Sequence, residues 1–405
     1  MKRLQAFKFE LMPNGEQGRA MCRFAGSCRF VYNKALALQK ENYELGNKFI
    51  SYVSMASHLP LWKREPHLAW LKDTPSQALQ HALKDLDKAY RNFFAKRTDF
   101  PRFKRKGSSD SFRYPDPKQI NLDQENSRIY LPKLGWLRYR KSRMVMGALR
   151  NVTVSQSSGK WYVSIQTQRE VEVSVSSTTN SIGIDVGITR FATMNDATYI
   201  VPLNSFKTHQ QRLARYQRRM SRKVKFSNNW KKAKTKVQRI HRDIANARKD
   251  FLHKVTTTIS QNHALVCIED LQVSNMSRSS KGNSEQYGKR VKQKTGLNRA
   301  ILDQGWGEFR RQLDYKMAWN GGILLAVPPK NTSLTCPNCT HVSKDNRLTQ
   351  AQFLCIHCGY ENNADVVGAI NILERGHRFL ACGELGLLDH SAKQEPIEVT
   401  QALVA

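Results

Sequence analysis

The spacing of apolar residues changes twice within the first 170 residues. Residues 2–10 alternate apolar side chains with basic or polar ones, which predicts a β-strand. From residue 15 to about 46, and again from 74 to 93, apolar residues recur every three or four positions, which predicts helices. Residues 120–170 contain short apolar runs separated by turn residues. We therefore expect a mostly helical region after one strand, followed by a small antiparallel barrel that includes that strand.

The second half of the chain follows a different order. A Ser- and Thr-rich stretch at residues 174–179 predicts a linker and a domain boundary. Residues 181–187 and 264–271 are short apolar runs typical of buried strands, and a predicted hairpin follows the first of them. Residues 207–254 have helical spacing with one break. The chain is thus predicted to be a multidomain protein of mixed α+β and α/β character.

The charge of the chain is strongly positive. Its 405 residues include 66 Lys and Arg against 33 Asp and Glu, a net charge of +33. A compact protein with this charge repels itself unless a polyanion neutralises it, so nucleic acid is the expected partner. A basic surface kept only for solubility is the alternative, although acidic residues serve solubility better. No apolar run is long enough for a signal peptide or a bilayer span, so we expect a cytoplasmic, nucleoid-associated protein without membrane contact.

Cations are concentrated in two parts of the sequence. Residues 100–114 interleave them with aromatic residues, and the helical stretch at 207–254 has almost no acidic residues before Asp243. Both patterns are typical of surfaces that meet phosphates with charge, and the aromatic residues could stack on bases. A solvated basic loop with buried aromatic residues is the alternative for the first segment. The residues expected to contact nucleic acid are Arg102, Lys104, Arg105, Lys106, Arg113, Arg218, Arg219 and Arg222.

Three acidic positions lie in apolar surroundings. Asp185 lies within a predicted buried strand, where an unpaired carboxylate is costly unless a cation or a hydrogen-bonding loop compensates it. The second strand ends in Glu269 and Asp270, either of which could face the same site. Asp365 lies in the first turn of a helix that Asn363 can cap. Converging carboxylates predict a site for Mg²⁺ or Mn²⁺, where two cations could support phosphodiester hydrolysis.

Four cysteines form two close pairs before the last of these acids. Their C-x2-C-x15-C-x2-C spacing lets two turns share one tetrahedral zinc ion. The resulting ribbon could be purely structural, or it could contact nucleic acid through Lys344 and Arg347. The predicted zinc ligands are Cys336, Cys339, Cys355 and Cys358.

Several motifs together resemble one known family. The chain looks like the TnpB proteins, which are encoded by transposons and are compact relatives of type V CRISPR effectors. Carboxylates of an RNase H-like (RuvC) domain with an inserted four-cysteine ribbon form a specific combination. The resemblance covers nearly the whole chain and rests on residues 29–33, 100–104, 183–187, 268–271, 331–339 and 363–373.

The resemblance implies an architecture for the N-terminal part. Residues 1–10 and 108–175 would form a wedge β-barrel, and residues 11–107 would form a helical recognition lobe inserted into it. Family members read a short motif beside their DNA target with these two parts. On the second predicted helix, the residues expected to contact that motif are Gln77, Gln80 and Lys84.

The resemblance implies a nuclease in the C-terminal part. Residues 181–330 and 361–380 would form the RuvC domain, and residues 331–360 would form the inserted zinc ribbon, which would bind target nucleic acid. Residues 385–405 are expected to be a disordered tail. The residues that match the catalytic, magnesium-binding acids are Asp185, Glu269 and Asp365, and the four cysteines match the zinc ligands.

The function implied by the resemblance is that of an RNA-guided DNA endonuclease. It would take a guide RNA from the transposon end, pair it with double-stranded target DNA and cut at a single RuvC site. One alternative is a nuclease-inactive, RNA-guided repressor. Another is a transposase or nuclease of the same fold that needs no guide. All three acidic positions are retained, which favours an active nuclease.

Overall fold

The computed structural model describes residues 1–108, 110–172, 176, 178–283 and 286–382. The chain divides into two compact units, Met1–Glu172 and Val173–Ala405. The predicted tail at residues 385–405 lies outside the described residues, as does most of the predicted linker. No helix in the described part of the chain is long and apolar enough to cross a membrane.

The first unit begins with one strand and three helices. The elements are β1 (Lys2–Met12), α1 (Gly15–Glu44), α2 (Tyr52–Arg64) and α3 (Ser76–Phe94). α1 begins with a capping box, in which the side chain of Asn14 accepts the backbone N–H of Gln17 and the Gln17 side chain accepts that of Asn14. The bounds of β1, α1 and α3 confirm the predicted strand and both predicted helices.

The remaining strands of the first unit form one antiparallel sheet with β1. They are β2 (Ser111–Tyr114), β3 (Asn121–Asp123), β4 (Arg128–Leu131), β5 (Gly135–Tyr139), β6 (Ala148–Ser157) and β7 (Lys160–Glu170). The order is β2-β6-β7-β1-β5-β4-β3, and β1 pairs with β7 from Lys2↔Glu170 to Leu11↔Trp161. Alternate β1 residues are buried, including Phe7 and Phe9. The N-terminal strand thus belongs to this sheet, as its alternation predicted.

The second unit is built on a five-stranded mixed sheet. Its strands are β8 (Ser181–Val186), β9 (Ala192–Met194), β10 (Tyr199–Ile200), β11 (Leu265–Glu269) and β12 (Ile323–Val327). The order is β10-β9-β8-β11-β12, with β8, β11 and β12 parallel. The middle residues of β8 and β11 are buried, which explains their nearly continuous apolar sequences. Parallel strands end at one edge, so Asp185, one residue before the end of β8, and Glu269, the last residue of β11, meet there.

Helices surround this sheet. They are α4 (Ser205–Ser221), α5 (Asn228–Asn262), α6 (Val273–Met276), α7 (Val291–Gln304), α8 (Trp306–Trp319) and α9 (Ala364–Ala381). α4 and α5 form a hairpin around the buried residues Leu213, Val237, Ile240 and Ile244. Ser227 caps α5 by accepting the N–H of Trp230, which accounts for the predicted break. The cationic side chains of the hairpin lie mostly on its exposed surface.

The backbone of α9 lies in direct contact with the backbone of β8 at Gly183. A Cβ added to Gly183 would lie 2.1 Å from the carbonyl oxygen of Ala369 and 2.7 Å from Cβ of Leu373. A Cβ added to Gly368 would lie 2.9 Å from Oδ2 of Asp185. Glycine at these positions therefore lets the helix that bears Asp365 approach the strand that bears Asp185.

This close approach predicts a large effect of one methyl group. Gly183→Ala should destabilise the protein by about 1–3 kcal/mol or more, because neither the α9 backbone nor the strand can move without repacking. Gly18→Ala in α1 is the control, since a Cβ there meets nothing within 4 Å. Urea unfolding of both variants measures the difference. Equal stability of Gly183→Ala and the wild type would contradict the backbone contact.

Candidate active site and metal centre

Asp185 and Glu269 lie at the same edge of the sheet of the second unit. β8 and β11 pair in register through Ile184↔Ile268, so Asp185 and Glu269 are the next residues on neighbouring strands. Asp270, the other candidate, instead forms an ion pair with Arg310 of α8. Glu269 is therefore the acid that faces Asp185, whereas Asp270 is neutralised within the fold.

Asp365 enters the same site from the start of α9. Asn363 caps this helix by accepting the backbone N–H of Asp365 at 3.0 Å. A negative side chain in the first turn of a helix is favourable because the helix dipole is positive there. The helix thus holds the third carboxylate close enough to affect Asp185.

Burial and the two other acids disfavour the ionised form of Asp185. Burial, followed by the charges of Glu269 and Asp365, raises the pKa of Asp185 to about 8, whereas the charge of Arg347 lowers it. Burial also raises the pKa of Glu269, against a hydrogen bond from Thr332 and the charge of Arg375. Such a group of oxygen ligands fits a divalent cation, because bound positive charge would offset the cost of ionising Asp185.

The carboxylates are less tightly grouped than the cysteines. Among the described residues, the group whose ligand atoms all lie within 4.8 Å of one another consists of Cys336, Cys339, Cys355 and Cys358. The Sγ atoms of Cys336 and Cys358 are 3.6 Å apart, and those of Cys339 and Cys355 are 3.5 Å apart. Four thiol sulfurs at these distances could hold one metal ion, and four cysteines are typical of structural zinc.

The cysteine cluster packs on the helix that bears Asp365. β13 (Gln352–Leu354) and β14 (Glu361–Asn363) form the hairpin that carries its second cysteine pair. Cys336 and Cys355 share a buried apolar cluster with Phe353 and with Val367 of α9. The hairpin runs into α9 without a break, since β14 ends at the helix cap. The metal centre and the carboxylate site therefore share one helix.

Two contacts of the carboxylates have no sequence pattern that marks them. Thr332 donates its hydroxyl to Oε1 of Glu269 at 2.6 Å. Arg347, which the sequence suggested as a nucleic-acid contact of the ribbon, has Nη2 3.8 Å from Oδ1 of Asp365. The only sequence signal was that Thr332 precedes the first cysteine pair and Arg347 lies between the two pairs.

The predicted nucleic-acid contacts of the first unit lie mostly on exposed surface. Gln80 and Lys84 are exposed on α3, and Gln77 is partly buried there. Lys104 is engaged within the unit, with Nζ 4.1 Å from the ring centroid of Tyr32 and 3.9 Å from Asp85. Lys106 lines a separate cleft. The residues that line one common cleft of about 440 Å³ include Arg102, Lys104, Arg105 and Arg113.

The predicted contacts of the second unit lie on α4 and the turn that follows it. Arg218, Arg219 and Arg222 are exposed. Arg219 and Arg222 line a cleft of about 500 Å³ between α4 and α5, together with Lys223, Lys232 and Lys236. No acidic side chain lines this cleft among the described residues. Its charge suits phosphate groups.

Three family models match this chain. A model described as a probable transposase matches residues 162–280, and a Cas12f1-like TNB domain matches residues 306–372. A helix-turn-helix domain matches residues 1–48, where the structure has β1 followed by α1. The TNB match contains all four clustered cysteines and Asp365.

Full-length relatives identify the family. The chain is 59% identical to "Putative RNA-guided DNA endonuclease InsQ" of Escherichia coli (strain K12), over 99% of this chain and 100% of the relative. The chain belongs to the TnpB family. A "Putative RNA-guided DNA endonuclease" of Streptomyces pristinaespiralis is 34% identical to this TnpB protein, over 98% of each. A solved Cas12f1-sgRNA-target DNA complex is 16% identical, covers 92% of this chain and 100% of its own, and has a TM-score of 0.33.

Removing two cysteines should remove the metal. The double variant Cys336→Ser and Cys339→Ser should lose about one zinc ion per chain, because two thiolates do not hold structural zinc. Metal analysis of the purified protein measures this loss. The control is Cys22→Ser, an exposed cysteine of α1 that should leave the zinc content unchanged. A double variant with full zinc content would contradict the assignment.

The pKa of Asp185 predicts a pH-dependent stability without magnesium. The folded protein keeps a proton on Asp185 up to about pH 8, whereas the unfolded chain releases it near its ordinary value of 3.8. Stability should therefore fall as pH rises through this window. Asp185→Asn removes this dependence, so its melting temperature should exceed that of the wild type at pH 8 and converge with it near pH 4. A difference in melting temperature that does not vary with pH would contradict the raised pKa of Asp185.

Proposed function

We propose that this TnpB protein is a metal-dependent, RNA-guided DNA endonuclease. Its carboxylate site supports this proposal most directly: Asp185, Glu269 and Asp365 gather where two parallel strands end and α9 begins, and Asp185 resists ionisation there. Relatives that span the whole chain are named putative RNA-guided DNA endonucleases. In this proposal, residues 181–330 and 361–380 form the RuvC nuclease domain.

The residues of the site have separate roles in the proposed reaction. Asp185, Glu269 and Asp365 would hold Mg²⁺ or Mn²⁺. When bound beside a phosphodiester, such ions would supply the positive charge needed to activate a water molecule and to stabilise the leaving oxygen. Thr332 fixes one oxygen of Glu269, and among the described residues Oε2 has no hydrogen-bond partner and stays available as a ligand. Arg347 would supply a positive charge for the phosphate beside Asp365.

The zinc ribbon would position one of the acids. Residues 331–360 lead through β14 into α9, and the four cysteines would hold one structural zinc ion. Because the cluster packs on Val367 of α9, loss of zinc would loosen the start of the helix that carries Asp365. We propose that the ribbon also contacts target nucleic acid.

The positive surfaces would bind the guide and target. In the proposed architecture, residues 1–10 and 108–175 form the wedge barrel, and residues 11–107 form the recognition lobe that reads a motif beside the target. The cationic cleft between α4 and α5 would contact phosphates of the guide RNA or target DNA. We propose that the guide is transcribed from the transposon end.

The proposal predicts a guided, acid-dependent cleavage. RNA that co-purifies with the full chain is sequenced, and the protein is then loaded with RNA matched to a plasmid target and given Mg²⁺. Asp185→Asn and Glu269→Gln should each slow cleavage by about 10³-fold or more while target binding persists. The matched control is Asp270→Asn, which carries the same loss of charge beside Glu269 but outside the site.

Each alternative function gives a distinct result. Target binding without cleavage by the wild type would make the protein a guided repressor. Cleavage that needs no RNA, or the absence of any discrete bound RNA, would indicate a guide-independent nuclease or transposase. Full activity of Glu269→Gln with loss in Asp270→Asn would show that the wrong acid has been assigned.

A further inference from the structure

The loop between β12 and the first cysteine pair reaches into the carboxylate site. Thr332 of this loop is 3% exposed, and its hydroxyl lies 2.6 Å from Oε1 of Glu269 and 3.1 Å from the carbonyl oxygen of Pro329. A hydroxyl has one proton to donate, and the shorter contact, to a carboxylate, is the stronger. Among the described residues, Thr332 is thus the hydrogen-bond donor to the Glu269 carboxylate.

Helix α9 holds this loop in place. The side-chain amide of Asn371 donates to the carbonyl oxygens of Thr332 at 2.7 Å and Thr335 at 2.8 Å. One turn later, Arg375 donates to the carbonyl oxygen of Lys330 at 3.0 Å and to that of Pro328. Residues four apart lie on one helix face, so both side chains meet the same loop. Four loop carbonyls are thereby bound to α9.

We propose that Asn371 and Arg375 are positioning residues, which hold loop 328–335 so that the Thr332 hydroxyl orients Glu269 for cation binding. α9 also carries Asp365 in its first turn. One helix would therefore fix two of the three acids, Asp365 directly and Glu269 through the loop. This inference rests on the proposed nuclease function, and it adds roles for Thr332, Asn371 and Arg375.

The buried position of Asn371 supports this role. Asn371 is 5% exposed, and both hydrogens of its amide are used by loop carbonyls. Replacement by Asp keeps the shape but places a carboxylate oxygen against two carbonyl oxygens, which repels the loop. The loop then loses its anchor directly beside Thr332.

The first test compares replacements of Thr332. Thr332→Val keeps the shape but removes the donor, so cleavage should slow by about 10–100-fold and Mn²⁺ affinity should fall by about 10-fold. Thr332→Ser restores the hydroxyl and should recover most of the cleavage rate and most of the Mn²⁺ affinity. Mn²⁺ binding is followed by electron paramagnetic resonance on the zinc-loaded, RNA-bound full chain, and zinc content and melting temperature are recorded for each variant.

The control for this test is another buried threonine. Thr256→Val removes a hydroxyl that donates to the carbonyl oxygen of Leu252 at 2.7 Å on α5. This variant should leave Mn²⁺ affinity unchanged, whatever its effect on melting. If Thr332→Val binds Mn²⁺ as the wild type does, or if Thr332→Ser is as impaired as Thr332→Val, the positioning role is overturned.

The second test asks whether Asn371 acts through Thr332. Asn371→Asp should weaken Mn²⁺ binding, and combining it with Thr332→Val should add little further loss, because both changes release the same carboxylate. The matched control is Asn320→Asp, which breaks the amide contact to the carbonyl oxygen of Ser260 at 2.8 Å. Asn320→Asp should change Mn²⁺ affinity little, and its effect should add to that of Thr332→Val. Full additivity of Asn371→Asp with Thr332→Val would overturn the proposed connection.

The failure of this inference differs from the failure of the proposed function. If Glu269→Gln abolishes cleavage and Mn²⁺ binding while Thr332→Val matches the wild type, only the positioning role is lost. If Glu269→Gln retains both, the carboxylate site itself is refuted, and the roles of Thr332 and Asn371 are refuted with it.

Discussion

The second unit is organised around the cost of placing carboxylates in a shielded position. Asp185 lies next to the end of a buried parallel strand, and Glu269 ends the neighbouring strand. Burial, followed by the charges of Glu269 and Asp365, raises the pKa of Asp185 to about 8. Ionising all three acids is therefore costly unless positive charge is nearby. Arg347 and Arg375 offset part of this cost, and a divalent cation would offset far more. Burial and repulsion thus make Asp185 costly to ionise, and a bound cation would reduce this cost.

Helix α9 connects the parts of this site. It contacts β8 at Gly183 and carries Asp365 in its first turn. It also packs through Val367 on the cysteine cluster, and Asn371 binds the loop beside Glu269. A helix is stiff over these distances, so a disturbance at the zinc ribbon would reach the acids through it. In the proposed function, the ribbon would therefore support the carboxylate site through α9.

Sequence patterns predicted the features that depend on residues close together in the chain. The cysteine spacing predicted a cluster that the structure brings together, and helical periodicity predicted the hairpin of α4 and α5. The strand pattern alone could not decide between Glu269 and Asp270, because alternation in a five-residue strand is ambiguous and the partner of Asp270, Arg310, is 40 residues away. Only the family resemblance favoured Glu269. The contacts of Thr332 and Asn371 could not be predicted either, because one is a hydroxyl bond to a distant carboxylate and the other joins a helix to backbone carbonyls far away in the sequence. Such contacts depend on tertiary packing.

The most direct measurement of the central claim is anomalous diffraction from crystals of the RNA-bound protein soaked with Mn²⁺. Data collected at the manganese and zinc edges would separate the two kinds of site. We expect manganese bound by Asp185, Glu269 and Asp365, and zinc bound by the four cysteines. Manganese absent from the three carboxylates, in crystals that cleave their target when Mn²⁺ is added, would contradict it.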